Sequence, residues 1–178
     1  MIFSLTMSVA LMTIVNLNMD SESWRSVNDG VMGGRSAGGM VQSDAGLKFT
    51  GRLSLENNGG FSSVRRSIKQ DVSTATGVRV QVRGDGRDYQ FRIRQNTGFD
   101  GVAWSAVFPS TSEWQQIDIA FDQFSPVFRG RNVPQAGPVV ASAIQQIGFL
   151  LADKNPGQFE LEIRHIEFTA QEDAVVHD

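Results

Sequence analysis

Residues 24–36, WRSVNDGVMGGRS, contain an aromatic ring, an amide, a carboxylate, a thioether and two arginines around three glycines. One interpretation is a scaffold, in which the glycines take positive φ angles and Asn28 and Asp29 bond to the local backbone. The other is a recognition loop, in which Trp24 and Met32 form an adaptable apolar contact flanked by polar anchors. Composition alone leaves the two interpretations evenly balanced.

Catalytic groups are scarce in this sequence. The chain has two histidines, and His177 is its penultimate residue. A Ser-His-Asp relay would have to use His165, for which a hydrogen-bonded strand histidine is the favoured interpretation. A zinc site with three protein ligands lacks the residues to form it, since the chain has no cysteine. The sequence therefore predicts a protein that is not an enzyme and holds no metal.

Acidic residues and glycine pairs suggest three weaker possibilities. Glu160 and Glu162 share one face of a predicted strand, about 6–7 Å apart, but no aromatic sugar platform surrounds them as a glycosidase requires. Asp85 and Asp88 could contribute to a calcium site, although an ordinary hairpin turn is favoured there. The paired glycines lack the Lys-Ser/Thr of a phosphate-binding loop, so we expect no cofactor.

The charged residues are unevenly spread along the chain. A net charge of -3 and a pI near 5.4 argue against nucleic-acid binding by bulk charge. Between residues 65 and 94, however, eight basic residues face only three aspartates. Thirteen of the sixteen basic residues in the chain are arginine, which suits bidentate contact with carboxylate or phosphate groups. The favoured interpretation is a solvated sheet face with weak ion pairs.

Period-two alternation of apolar and polar residues recurs along the chain, and helical periodicity is scarce. It predicts one-sided strands around residues 78–82, 89–93, 117–121 and 159–163, and a buried central strand at 147–152. Because Ile166 and Phe168 have the opposite parity from Ile163, we expect a β-bulge near Arg164 and His165. Eighteen glycines and many short strands point to an all-β fold, a two-sheet sandwich or jelly roll.

The segments outside these strands complete the predicted organisation. Residues 1–19 carry no charge and contain an opening strand at 12–17, with a signal peptide disfavoured. Residues 20–168 form the sandwich, and residues 169–178 form a flexible acidic tail. The longest irregular segment is 124–139, with a short helix expected from Pro138 to Ala143. The lack of cysteine gives no sign of an oxidising compartment, so we expect a cytoplasmic protein without a membrane span.

Several ordered blocks of the sequence resemble the complex I intermediate-associated protein 30 family. They are W-x-x-V-N-D-G-V-M-G-G-x-S (24–36), F-x-G-x-L-S-L-E-N-N-G-G-F-S-S-V-R (49–65) and R-G-D-G-R-x-Y (83–89), followed by W-Q-x-I-D-I-x-F-x-x-F-x-P-x-F-R-G-R (114–131) and I-G-F-L-L-A-D-K-x-x-G-x-F-x-L-E-I (147–163). The resemblance covers about residues 20–168, and ordered blocks of this length are specific. No presequence rich in Arg and Ser precedes them, which favours a stand-alone, bacterial-type member.

The resemblance implies a galactose-binding-like β-sandwich without catalysis. Eukaryotic members resemble assembly factors for the respiratory NADH dehydrogenase, so we expect a protein-binding module, an assembly factor or chaperone-like adaptor. The residues expected to contact the partner are Trp24, Asn28, Asp29, Met32, Arg35, Arg65, Asp85, Arg87, Tyr89, Arg129 and Arg131.

Two alternatives stay open. A carbohydrate-binding module on the same sandwich would need Trp104 or Trp114 as an exposed platform, although alternation favours core packing for Trp104. Single-stranded RNA binding along residues 79–94 is weaker, because Tyr89 shares the inward parity of Phe91 and would not stack on a base.

Overall fold

Two antiparallel β-sheets face each other in the computed structural model, which describes residues 10–172. The first sheet has the order β3-β4-β13-β6-β9, with β1 also paired to β13, and its strands are β1 (Leu11–Asn16), β3 (Ala37–Ser43), β4 (Gly46–Leu53), β6 (Gly77–Gly84), β9 (Gln115–Ala120) and β13 (Gly157–Gln171). The second sheet has the order β11-β10-β8-β7-β12-β5-β2, and its strands are β2 (Arg25–Ser26), β5 (Ser62–Ser67), β7 (Asp88–Arg94), β8 (Ala103–Pro109), β10 (Ser125–Phe128), β11 (Arg131–Asn132) and β12 (Gln146–Leu151). The predicted all-β sandwich is confirmed.

One apolar core lies between the sheets, built from the alternating inward positions of both. Phe49 of the first sheet and Tyr89 of the second are fully buried, with ring centroids 6.2 Å apart. Phe149 of β12 contacts Phe91 edge to face at 5.2 Å, a favoured arrangement for aromatic pairs. The predicted one-sided strands therefore turn their apolar faces toward each other, as alternation requires.

Strand β13 changes its partners halfway along its length. Residues 157–163 pair with β4, and residues 167–171 pair with β1, which continues the same side of β13. The register against β6 shifts between Ile163 and His165, so the predicted bulge is confirmed. The bulge returns Ile166 and Phe168 to the core side, where both are fully buried.

Strand β12 lies in the middle of the second sheet, between β7 and β5, and all six of its residues are buried. This confirms the predicted central strand. At Gly148 a Cβ atom would lie 2.5 Å from the backbone oxygen of Val64, a distance that no real side chain tolerates. Glycine is therefore required here by the close approach of β5, and it leaves the outer face of the strand open at this point.

Three local predictions need correction. The segment 124–139 is not irregular, because β10 and β11 pair across a turn in which Arg129 and Gly130 take positive φ angles. The helix expected from Pro138 is reduced to the 3-10 turn Ala141–Ala143. Gly84-Asp85-Gly86 does not close a hairpin, since β6 and β7 belong to different sheets and the chain crosses between them here.

The predicted opening strand is present as β1. At the other end, β13 extends to Gln171, three residues into the segment expected to be a tail. Residues 1–9 and 173–178, including most of that tail and His177, lie outside the described residues. The remaining 3-10 turns connect strands and are Asp29–Met32, Glu56–Asn58, Phe121–Gln123 and Pro134–Ala136.

Candidate functional site

The loop of residues 28–36, which we name the Met32 loop, is anchored by the side chain of Asp29. This carboxylate is completely buried. It accepts hydrogen bonds from the backbone N–H of Ser36 at 2.8 Å and of Gly60 at 2.7 Å, joining the loop to the segment before β5. Burial alone would raise the pKa of Asp29, but the hydrogen bonds from Ser36 and Gly60 outweigh it and hold the pKa below its usual value.

Two glycines, Gly34 of the Met32 loop and Gly59 beside it, let the backbone approach Asp29 closely. Of the three glycines in the loop, only Gly33 takes a positive φ, at 86°. A Cβ atom on Gly34 would lie 2.4 Å from the Asp29 carboxyl carbon, and one on Gly59 would lie 2.5 Å from its oxygen. The expectation of positive φ angles at all three is therefore wrong for Gly30 and Gly34.

The tip of the Met32 loop presents apolar side chains to solvent. Val31 is 57% exposed and Met32 is 67% exposed, and both lie in the 3-10 turn that begins at Asp29. Asn28 is held by both ends of its amide, which donates to the Gly38 carbonyl oxygen and accepts from the Ser62 hydroxyl. Asn28 and Asp29 thus hold the loop, as the scaffold interpretation expects. The recognition interpretation stays a prediction, for which Met32 is exposed and Trp24 is buried.

The outer face of the second sheet carries four arginines, Arg25, Arg65, Arg92 and Arg94, which we name the arginine face. Arg65 and Arg92 lie directly opposite Gly148 on the two neighbouring strands, and Arg25 lies opposite Arg65 on the edge strand β2. Arg94 belongs to the next row, opposite Gln146. Arg65, Arg92 and Arg94 line a depression of about 10 Å³ around Gly148, comparable with one water molecule.

No carboxylate forms an ion pair with the arginine face in the part of the chain that the structure describes, although the charge of Asp100 acts on Arg65 and Arg94. No ion pair within residues 10–172 includes any of the four arginines. Their hydrogen-bond acceptors are neutral: the carbonyl oxygens of Phe99 and Gly101 and the amide oxygens of Gln90 and Gln146. Four positive charges therefore share one sheet face without a directly bonded carboxylate.

The pKa values of these arginines reflect that environment. Burial, followed by the charges of Arg94 and Arg25, lowers the pKa of Arg65 to about 10. Burial and the charge of Arg94 lower the pKa of Arg92 to about 10 as well. Arg65 and Arg92 stay protonated at neutral pH, so the repulsion that acts on them persists in the folded protein.

The basic residues between 65 and 94 do not form one surface, because β6 and β7 lie in different sheets. Arg79 and Arg83 on the first sheet pair with Asp118 and Glu162, as the interpretation of a sheet face with ion pairs expects. Arg65, Arg92 and Arg94 follow the opposite pattern. The predicted weak ion pairs are thus present on the first sheet. Within residues 10–172, Arg65, Arg92 and Arg94 of the second sheet lack them.

Arg87 and its neighbours hold together the crossing between the sheets. Arg87 Nε and Nη2 donate to the two carboxylate oxygens of Asp153 at 2.8 and 2.7 Å, and Nη1 donates to the Gln158 carbonyl oxygen. Hydrogen bonding to Asp153 raises the pKa of Arg87. Asp85 accepts from the Tyr89 hydroxyl at 3.0 Å and from the Glu160 N–H at 2.8 Å. These carboxylates are occupied by structural hydrogen bonds.

The predicted contact residues lie in three groups. The first is the Met32 loop, which includes Arg35, together with Trp24. The second is the crossing between the sheets, and the third we name the rim; their members are Asp85, Arg87 and Tyr89 for the crossing, and Arg65, Arg129 and Arg131 for the rim. The rim is joined by residues 95–102, since Arg65 bonds to Phe99 and Arg129 pairs with Asp100 at 2.6 Å. Arg35 and Arg131 are exposed.

Four of these residues are largely covered by the fold. Trp24, Asp29 and Tyr89 are buried and offer no surface to a partner, and the Arg87 side chain is 9% exposed in its pair with Asp153. Their burial gives little support to direct contact with a partner, which stays a prediction for these four residues.

Sequence reasoning missed the arginine face as a unit. Arg92 and Arg94 share an outward parity, opposite to Phe91 and Ile93, so the pattern placed both on one face. Arg92 and Arg94 lie near Arg25 and the open position at Gly148 because of the strand pairing, which no local sequence pattern reveals.

The glutamates and tryptophans weighed for chemistry are engaged in ion pairs, packing or contacts with arginine, whereas His165 is exposed. Glu162 pairs with Arg83 and lies 3.9 Å from Lys48, and Glu160 also pairs with Lys48. Trp104 is buried and donates to the Gly137 carbonyl oxygen at 2.9 Å, as core packing predicts. Trp114 is partly covered by two guanidinium groups, 4.0 and 4.9 Å from its ring centroid.

Residues 10–172 contain neither a helix that could cross a membrane nor a cluster of potential metal ligands. Helical structure there is limited to short 3-10 turns, none with the length and apolar character needed to cross a bilayer. In the same residues, no three His, Cys, Asp or Glu side chains come together as a potential metal site.

Solved structures with the same fold include the family 11 carbohydrate-binding module of a cellulosomal cellulase from Clostridium thermocellum. The TM-score is 0.65 with 18% identity, over 93% of this chain and 98% of that one. The same module has been solved in complex with a β-1,3-1,4-mixed-linked tetrasaccharide. At this identity the likeness shows the fold alone.

Sequence relatives point to one family. The mitochondrial complex I intermediate-associated protein 30 of Mus musculus is 29% identical over 170 residues, covering 83% of this chain and 52% of that protein. Its counterpart in Drosophila melanogaster is 26% identical over 131 residues, covering 69% and 44%. The chain thus spans about half the length of these relatives. The model of the family matches residues 15–163, so the chain belongs to the complex I intermediate-associated protein 30 (CIA30) family.

Proposed function

We propose that this chain is a non-catalytic protein-binding module that acts as an assembly factor or chaperone-like adaptor. The observation that carries the proposal is the Met32 loop, in which two exposed apolar side chains stand on a buried and fully bonded Asp29. Ordering a loop before a partner arrives lowers the entropic cost of binding. A methionine at the tip adapts its shape to the partner surface.

Family membership suggests the kind of partner. The relatives in mouse and fruit fly are named for association with an intermediate of complex I. By analogy, we propose that the partner of this chain is a subunit of a respiratory NADH dehydrogenase before its assembly is complete. The proposal keeps the cytoplasmic location that the cysteine-free composition predicts.

Besides Met32, we propose Arg35 and the rim residues Arg129 and Arg131 as polar contacts, because their side chains reach solvent. The ion pair between Arg35 and Glu56 is exposed on both sides, so a partner carboxylate can replace it at little cost.

A photo-crosslinking amino acid at position 32 tests the proposal directly. We expect ultraviolet light to join this variant to a defined partner in the native host. The same amino acid at Val140, an apolar position of 48% exposure in another loop, is expected to give no such adduct. Identical adducts at both positions, or none at position 32, would contradict the proposal.

Affinity for the purified partner gives the quantitative form of this prediction. Met32→Ala is expected to weaken binding about 5- to 10-fold, the effect of removing a contact worth roughly 1 kcal/mol or more. Met12→Ala makes the same chemical change at a half-exposed position of β1 and is expected to leave the Kd unchanged. Titration calorimetry of both variants separates a specific role of Met32 from a general effect of losing a methionine.

A carbohydrate-binding module is the second candidate, favoured by the shared fold and by the exposed ring of Phe99 beside Arg65. Neutral sugars are usually held on aromatic surfaces. Trp24 and Trp104 are buried here, and arginines cover part of Trp114.

We therefore predict that a β-1,3-1,4-linked tetrasaccharide at millimolar concentration gives no binding heat with this protein. Heat that disappears in Phe99→Ala, but persists in Met32→Ala, would instead favour the sugar function and locate it beside the arginine face.

A further inference from the structure

Several arginines outside the arginine face have carboxylate partners, whereas the buried Arg66 donates to neutral acceptors, as the members of the arginine face do. Arg79, Arg83 and Arg87 each pair with a carboxylate. The four members of the arginine face have neutral acceptors, although burial of an uncompensated charge is costly. The nearest carboxylate acting on Arg65 and Arg94 is that of Asp100, and it is bonded to Arg129. A surface that holds concentrated, uncompensated positive charge is suited to an anion from outside the chain.

The guanidinium N–H donors of the arginine face also favour binding of an external anion. A guanidinium group carries five N–H donors. Within residues 10–172, Arg25, Arg65 and Arg94 each donate to one acceptor, and both bonding nitrogens of Arg92 share the oxygen of Gln90. Most of the donors on this face are therefore available for a ligand.

The middle of the arginine face is open at Gly148. Arg65 and Arg92 flank this glycine from the two adjacent strands, so their Cα atoms are about 10 Å apart across the sheet. The close backbone of Val64 excludes a side chain from position 148. The depression that results is lined by polar and apolar groups and admits one atom of the size of an oxygen.

Charge and shape together select the class of anion. A carboxylate carries one charge and presents its two oxygens along one edge, which a single guanidinium satisfies. A phosphate monoester carries nearly two charges and three terminal oxygens. It can accept hydrogen bonds from arginines on opposite sides while a third oxygen points to the sheet.

We propose that the arginine face binds the phosphate group of a small phosphate ester, with one oxygen seated over Gly148 between Arg65 and Arg92. Arg25 and Arg94 add further positive charge from the edge strand and from the neighbouring row. The site shares no residue with the Met32 loop, so it stands or falls separately from the proposed protein contact.

Thermal unfolding of the whole chain with inorganic phosphate as the probe tests the proposal. Phosphate is compared with chloride at equal ionic strength and pH 7. At ten times its Kd, phosphate is expected to raise the Tm by roughly 3–6 °C. Broadening of the phosphorus NMR signal of inorganic phosphate on addition of protein provides a second measurement.

A matched pair of double variants identifies the site. Arg65→Gln/Arg92→Gln is expected to abolish the phosphate-dependent rise and to leave the protein folded, because repulsion between the arginines is relieved. Arg79→Gln/Arg83→Gln removes the same charge from the first sheet, where both arginines are already paired, and is expected to keep the rise. Arg25→Gln, at the exposed edge, serves as a milder variant expected to weaken phosphate binding several-fold.

Three results would overturn the proposal. The first is no difference between phosphate and chloride in the wild-type protein. The second is an equal phosphate-dependent rise in both double variants, which indicates a general salt effect. The third is binding to phosphatidic acid vesicles without binding to inorganic phosphate, which assigns the face to a membrane surface.

Discussion

Replacing Asp29 with alanine is expected to lower the free energy of unfolding by about 3–5 kcal/mol. The substitution removes both acceptors that the carboxylate provides, so the N–H groups of Ser36 and Gly60 are left without their partner. It also leaves a cavity where Gly34 and Gly59 enclose the carboxylate. For a chain of this size the Tm is expected to fall by roughly 10 °C, measurable by calorimetry.

Asp44 supplies the control, since it is an exposed aspartate in the turn between β3 and β4. Asp44→Asn is expected to change the Tm by less than about 2 °C. If Asp29→Ala proved as mild as this control, the anchoring role of Asp29 would be wrong.

The lowered pKa of Asp29 makes the free energy of unfolding depend on pH. Because the folded-state pKa lies below the usual value of 3.8, ionised Asp29 stabilises the fold above that pH. This contribution is lost as the pH falls below 3.8 and through the folded-state pKa. The difference in unfolding free energy between wild type and Asp29→Asn is therefore expected to shrink from pH 7 to pH 3, as urea denaturation can measure.

Arg87→Met is the second change with a large expected effect, a loss of about 3 kcal/mol in the free energy of unfolding. Methionine preserves most of the apolar length of the side chain but removes the bidentate pair with Asp153. That carboxylate is only 16% exposed, so it loses its counter-charge in a place where water compensates poorly. Chemical denaturation at pH 7 measures the loss.

Arg35→Met makes the same substitution in an exposed ion pair, whose side chains are 69% and 63% accessible. It is expected to cost less than about 1 kcal/mol. In a double-mutant cycle, Arg87→Met with Asp153→Asn is expected to cost less than the sum of the single changes, because the second change removes the carboxylate charge that the first exposes. Strict additivity would show that the pair contributes little.

Much of the fold is predictable because the alternation of apolar and polar residues within each strand indicates which side chains are buried. Phe91 and Ile93 alternate with Arg92 and Arg94, and this local pattern requires one face in a core. The change of parity between Ile163 and Ile166 likewise required an extra residue in the strand, and the bulge is where it was expected. Such features need no knowledge of which strands are neighbours.

The candidate site was less predictable because it depends on neighbours. Asp29 is a charged residue in a glycine-rich loop, a type that is almost never fully buried unless paired, and its partners Ser36 and Gly60 lie 7 and 31 residues away. The arginine face joins residues from β2, β5 and β7 across β12. Alternation places a side chain on a face, but only sheet order decides which side chains share that face.

The pairing of β1 with the last part of β13 affects the ability of two molecules to pair through their strands. Strand β4 covers one side of β13 only as far as Ile163, and the six residues of β1 close the same side farther along. If β1 detached, residues 167–171 would offer a row of backbone donors and acceptors to any extended chain, including β1 of a second molecule. By covering this edge, the short strand β1 disfavours intermolecular strand pairing and domain exchange.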